Sequence, residues 1–477
     1  MPLKTESEKV AHLLRRFGLG ASEAELDFYG DGGYAGAVEK LLSYESREDS
    51  IILDELLLRD NDGRVIQNPR LAQVATYAYF LATSRPLEAK MTLFWHDHFA
   101  TSAQKVSNGP TMYRHLNLLR ENATGNFYEF LVAVSKDPAM LYWLDNHLNL
   151  KGRANENFAR EVMELFTLGV GNYTEKDIQE AARAFTGWTY GLRRGARIAP
   201  AREEVPNARS VYLFDEPNHD FGSKTFFGKT GNWNGDDILR MLSEMPRTAY
   251  YLTEKIWEWF VYPKPSKAVV EKHAAVFQKS GLEIKALLKS VMLDPEFVSD
   301  RAERAIIKNP IDYCASMIRQ MGLGAPIVQN INAARESGGN IQRGGMLSAA
   351  RTNQSTSTMG MVLLEPPDVA GWPAQEQWIS TATMIERITW GSELFMGANG
   401  RPTAYPAFNL FAANPTTAGV INALCSLFDV TLPAAKKQVI LDAVAEKSGG
   451  SVTRQNANQV AADAMKLICA TPEFQFM

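Results

Sequence analysis

Between Asn155 and Trp188 the chain reads NENFAREVMELFTLGVGNYTEKDIQEAARAFTGW, and its apolar residues return at helical rather than strand intervals. Phe158, Val162, Leu165, Phe166 and Gly169 make one stripe of a helix, while Asn157, Arg160, Glu161 and Glu164 lie along its flank. Gly169 and Gly171 stop that helix, and Thr174 followed by Asp177 has the form of a capping box that opens a second one. The second helix turns Ile178, Ala181, Ala182, Phe185 and Trp188 inward. A helical hairpin with a polar flank carrying two carboxylates is therefore expected here.

The same periodicity runs through most of the chain. Ser7 can cap a helix lined by Val10, Leu13, Leu14 and Phe17, with His12, Arg15 and Arg16 off the stripe as a solvated, salt-bridged face or the edge of a polar pocket. An Ala- and aromatic-rich helix from Asn68 to Thr83 precedes Pro86, which is well placed near the start of LEAKMTLFWHDHFAT. Between Gly191 and Gly231 the character changes: VYLF and TFFG read as two short strands joined by the polar turn PNHDFGSK. The Gly- and Ser-rich stretch from Ser337 to Ser357 reads as a mobile loop or lid. The expected fold is mainly α, a large multi-helix body with a small β-hairpin excursion around residues 205–230. Residues 1–395 form the main helical domain, with the β excursion at 191–231, and residues 396–477 a C-terminal helical subdomain packed on it.

Composition excludes some function classes. Fifty basic against 54 acidic residues leave a net charge of -4, which is no electrostatic footprint for nucleic acid. Cys314, Cys425 and Cys469 are far apart and read as buried thiols rather than a disulfide framework or a zinc site. MPLKTESEKVAHLLRR lacks the apolar segment of a signal peptide, which predicts a cytoplasmic protein, and no apolar run is long enough for a membrane span.

Several polar residues invite a chemical role. His96 and His98 resemble a ligand pair, but on a helix residues two apart diverge by about 200°, so they cannot converge on one ion. His98 falls in line with Leu87, Met91 and Phe94, either as a hydrogen-bonded core histidine or as a metal ligand or base. Glu161, at the margin of the apolar stripe, needs a partner such as a metal ion or His98, whereas Glu156, Arg160 and Glu164 have the spacing of an ion-pair ladder. His219 and Asp220 sit on a turn, as ligands or as turn chemistry. Trp372 and Trp378 stand on or just after the rigid segment LLEPPDVAGWP, as packing or as a platform for a flat ligand such as a sugar ring.

Eight blocks together resemble the bacterial family known as domain of unknown function eighteen hundred: HLLRRFGLG at His12, MTLFWHDHFAT at Met91, DPAMLYWLDN at Asp137, the Asn155 stretch, HDFGSKTFFG at His219, KNPIDY at Lys308, EPPDVAGW at Glu365 and TPEF at Thr471. The resemblance spans essentially the whole chain in order and implies a mostly helical fold. Many relatives look exported and are encoded beside sulfatase-like proteins, which implies polysaccharide or cell-surface work; this sequence departs from them in lacking an export signal.

Two functions follow as expectations. In the first, a metal-assisted hydrolase or oxidoreductase acts on a glycan-like or cell-surface substrate. Glu161, Glu164, His98 and Arg160 are its catalytic residues, and Trp372 and Trp378 bind substrate. His98, Glu161, His219 and Asp220 would hold a divalent metal ion. In the second, a non-catalytic assembly factor binds a carbohydrate or a protein, such as a sulfatase-like partner, and the polar stripe is a structural network.

Overall fold

Helix starts are encoded in this chain as side-chain caps. Thr5, Ser22, Thr174, Asn234 and Ser380 each accept a backbone N–H in a reciprocal capping box, and Pro69, Pro86, Pro138, Pro246 and Pro310 occupy first turns, where no N–H is needed. The computed structural model describes residues 3–52, 58, 66–194, 197–200, 209–336 and 346–477, and the fold is mainly α with a small antiparallel β portion. The first helix starts at Glu6 under a Thr5 cap rather than a Ser7 one.

The helix Pro86–His98 is the axis of the molecule. Every residue from Pro86 to His96 is buried, and so is His98. Leu87, Met91, Phe94 and Trp95 face one hydrophobic core, shared with the Asn155 hairpin and the helices Glu6–Phe17 and Pro246–Phe260. Ala89 and Leu93 face a second core, built with the helices Pro69–Ala82, Pro310–Gln320, Thr381–Met396 and Ala457–Cys469. A helix buried on all sides belongs between two cores. Its internal charges are paired: Lys90 with Asp312, and Glu88 with Arg120 and the Tyr79 hydroxyl. Asn309 holds the other side of Asp312, donating from Nδ2 at 2.8 Å.

The hairpin differs from expectation in two places. Its first helix ends in a π-helical turn, Val162–Thr167, which widens the register so that Leu168 N–H donates to Met163 O. Its second helix ends at Ala184, and Trp188 starts a strand instead of continuing the helix. The cause is Gly187, at φ +78°, where any β-carbon would lie 2.6 Å from Asp215 O.

The β excursion is real, but the pairing within it is not VYLF with TFFG. Strand β1 (Trp188–Arg194) is central, between β2 (Arg197–Pro200) and β3 (Arg209–Phe214), all antiparallel. Strand β4 (Lys224–Phe226) pairs instead with β5 (Lys229–Gly231). Phe227 and Gly228 both have positive φ, so the FG of TFFG is a tight hairpin turn, not strand. In the Ser337–Ser357 stretch, residues 337–345 lie outside those described, and the remainder belongs to a helix, Leu347–Thr358, rather than a loop.

Candidate functional site

The last turn of the axial helix is gripped from three directions by three consecutive side chains. His96 Nε2 accepts the Leu364 N–H at 3.0 Å, Asp97 Oδ1 accepts the Trp372 N–H at 2.8 Å, and His98 Nε2 lies 3.2 Å from the Phe166 carbonyl. HDH is thus a junction. Its first two residues fasten the two ends of the segment Leu364–Trp372, and its third meets the Asn155 hairpin. The two imidazoles diverge, as helical geometry demands.

Asp97 and His98 open onto a cavity of about 320 Å³, whose wall also includes Lys255, Trp259, Trp372 and Trp378. Three of the blocks that carry the family resemblance meet there: MTLFWHDHFAT, KNPIDY through Asn309 and Asp312, and EPPDVAGW through Trp372. Half-buried Asp97 is the one acidic side chain of the HDH turn. Burial pushes its carboxyl up to about 6, against the opposing Trp372 N–H and the charge of Lys255. His98 is held well below the ordinary imidazole value by burial and then by Lys255, so it is neutral. Because a carbonyl only accepts, His98 must carry its proton on Nε2, which leaves Nδ1 as an acceptor. Neither that Nδ1 nor Trp259 Nε1, a donor, has a hydrogen-bond partner among the described residues. A hydroxyl group can serve both kinds of atom.

The structure brings His98, Trp372 and Trp378 into this one cleft and puts the other proposed residues elsewhere. Glu161 is half-buried beside Glu164, and its carboxyl is raised by burial and then by that neighbour. Glu164 accepts from the Tyr173 hydroxyl. The guanidinium of Arg160 is taken by Glu175 at 2.7 Å and 2.9 Å, with Glu156 at 3.5 Å. His219 is buried, its Nδ1 2.7 Å from Thr186 O, while Asp220 turns to Arg183 Nε at 2.8 Å and is held low by it. Among the described residues no three His, Cys, Asp or Glu side chains stand together as a metal-binding group. The hairpin reaches His98 through Phe166 instead of Glu161.

Sequence reasoning passed over Asp97, Lys255 and Trp259. Signals for them existed: Asp97 is the residue between two diverging histidines, and Lys255 and Trp259 are four apart on one helical face. A larger cavity, about 980 Å³, is lined by Arg15, Arg304 and Asp429 among others. Several of its charged groups are already paired, Asp429 with both arginines and Glu473 with Lys436 outside the lining.

The family described as Protein of unknown function (DUF1800) matches residues 12–476. The chain belongs to that family. Neither a curated protein nor a solved structure matches this DUF1800 chain. No helix among its described residues is long and apolar enough to cross a membrane.

Proposed function

We propose that this DUF1800 chain is an acid–base enzyme, a hydrolase of glycan-like substrates, working in the cleft between the HDH turn and the Trp372 loop. The observation that carries this is Asp97: a carboxyl fixed by the Trp372 N–H at a cavity wall, with its titration moved up to about 6, close to where a proton carrier works best. His98 and Trp259 line the same cavity, each with a buried ring nitrogen left without a partner among the described residues, and Lys255 places a positive charge beside the carboxyl. Trp372 and Trp378 supply apolar wall. The metal-assisted form of this chemistry does not fit the residues present: His98, His219 and Asp220 are engaged separately, and among the described residues no three His, Cys, Asp or Glu side chains gather to hold an ion.

A second reading is a non-catalytic carbohydrate- or protein-binding factor. It is favoured by the polar groups of the Asn155 hairpin and the His219 turn, which are taken up internally, Arg160 by Glu175, Glu164 by Tyr173 and Asp220 by Arg183, as a structural network requires. One experiment separates the two: turnover and binding of a panel of oligosaccharides by the parent and by Asp97→Asn. Loss of turnover with retained binding in the variant supports the enzyme. Binding without turnover in the parent moves the assignment to the second reading in its carbohydrate form, and neither binding nor turnover sinks the enzyme and leaves a protein as the partner.

A further inference from the structure

The helix Leu347–Thr358, LSAARTNQSTST, is made largely of residues that favour helices poorly, yet Thr352, Asn353, Ser355 and Thr356 on it are buried. Burying amides and hydroxyls is costly unless each is hydrogen-bonded. Part of the demand is met within the protein: Thr352 donates to Ser348 O at 2.8 Å, and the Thr356 and Tyr77 hydroxyls bond each other.

The Ser355 hydroxyl and the Asn353 amide oxygen find no partner among the described residues; of the two residues Asn353 alone lines a groove, and its orientation can be deduced. Gln73 Nε2 donates to Leu363 O at 2.8 Å and to Glu365 Oε1 at 3.2 Å. A backbone carbonyl can only accept, so Gln73 must turn its NH₂ that way and its oxygen toward Asn353. Asn353 meets that oxygen with Nδ2 at 3.2 Å, which leaves Asn353 Oδ1 as the acceptor at the end of the chain. Among the described residues that oxygen has no donor, on a residue only 4% exposed.

The residue lies in the wall of a groove of about 490 Å³ between the helices Pro69–Ala82 and Leu347–Thr358. Arg70, Gln354, Ser357, Thr358 and Glu365 complete most of the lining, and Pro69 adds an apolar surface. Among the described residues its lining carries one positive and one negative side chain, no net charge with which to select an ion. What it offers are amides and hydroxyls, groups that both donate and accept, as the hydroxyls of a sugar do. The volume is that of a small-ligand site.

We propose that this groove is a second binding site of the chain, taking a neutral, polyhydroxylated ligand of carbohydrate type, with Asn353 Oδ1 as the buried acceptor and Gln354 and Ser357 as rim contacts. The site does not depend on the chemistry of the Asp97 cleft. Glu365 opens the segment that ends at Trp372, so the two sites lie at opposite ends of one piece of chain.

The test is isothermal titration of the full chain with neutral hexasaccharides of glucose, xylose, mannose and N-acetylglucosamine. It is run on the parent, on the double variant Gln354→Ala/Ser357→Ala, and on Asp97→Asn. Gln354 is exposed and Ser357 half-buried, so the double variant keeps the core, which circular dichroism verifies. The expected result is binding of at least one hexasaccharide, weakened about tenfold by the double variant. Weakening by the groove variant supports the site whatever Asp97→Asn does. Absence of binding across the panel, or binding that the double variant leaves intact, overturns it; binding lost only in Asp97→Asn assigns the sugar to the cleft alone.

Discussion

The carboxylate of Asp97 occupies the space where a side chain at Gly371 would begin. A β-carbon at 371 would stand 2.4 Å from Asp97 Oδ1 and 2.7 Å from its carbonyl oxygen, on a backbone at φ +93° that favours glycine. The glycine of EPPDVAGW is therefore what lets the following residue, Trp372, bring its N–H to Asp97. Gly371→Ala is expected to destabilise the chain by about 2–4 kcal/mol, from backbone strain and the displaced carboxylate together. Urea unfolding checks it, and a variant as stable as the parent would mean that the loop does not close on Asp97 in this way.

Asp97 itself makes a pH-dependent contribution whose sign is unusual for a carboxylate. Its folded value, about 6, lies above the ordinary 3.8, so between those limits the folded protein holds a proton that the unfolded chain has released. Stability from this group therefore falls as pH rises through that window and stays lower above it. Asp97→Asn keeps an oxygen for the Trp372 N–H and removes the titration. At pH 7.5 the variant is expected to be more stable than the parent by about 1–2 kcal/mol, and at pH 4 to show little gain. An equal gain at both pH values would contradict the raised value.

Lys308, in KNPIDY, is a second buried group with a displaced titration. Burial, then the charges of Arg304 and Arg15, bring its ammonium down to about 7, and it donates to Phe474 O at 3.1 Å. Between about 7 and the ordinary 10.5 the unfolded chain binds the extra proton, so stability rises with pH across that range. Lys308→Met removes the penalty of burying the charge and loses one hydrogen bond. A net gain of about 2–3 kcal/mol at pH 6, shrinking toward zero by pH 10, is expected in thermal unfolding.

The helical body was legible because it rests on periodicity and caps, which are local. Ile178, Ala181 and Ala182 are buried as their spacing requires, and Thr174 and Asp177 form the capping box. The divergence of His96 and His98 also followed from helix geometry alone. What escaped was register change and long-range closure. A π-helical turn at Val162–Thr167 breaks the 3.6-residue repeat on which the pairing of Glu161 with His98 was argued, and it ends the helix with the Leu165 and Phe166 carbonyls meeting Tyr251 and His98. Asp97 acquires its role from a loop remote in sequence, and TFFG keeps only Thr225 and Phe226 in a strand, its second half being a turn that positive φ at Phe227 reveals. His12 and Arg16, off the apolar stripe of the first helix, are fully buried because their polar atoms find backbone carbonyls, a solution invisible to a hydrophobic pattern.

Arg16 shows how much such a solution carries. Its guanidinium is fully buried and donates to Phe260 O at 2.8 Å, Ala302 O at 3.3 Å, Met477 O at 2.6 Å and Val261 O. These carbonyls belong to three separate segments, so one side chain ties the first helix to all of them. A planar fork with five donors can do this; an ammonium with three donors on one atom cannot reach the same spread. Arg16→Lys keeps the charge yet leaves at least one buried carbonyl without a donor and the remaining bonds poorly aimed. It is expected to cost about 3 kcal/mol, a larger loss than any conservative change on the exposed face of the same helix, such as Lys9→Arg. Thermal unfolding of the two variants side by side decides the point: equal melting temperatures would show that the four carbonyls do not depend on the guanidinium geometry.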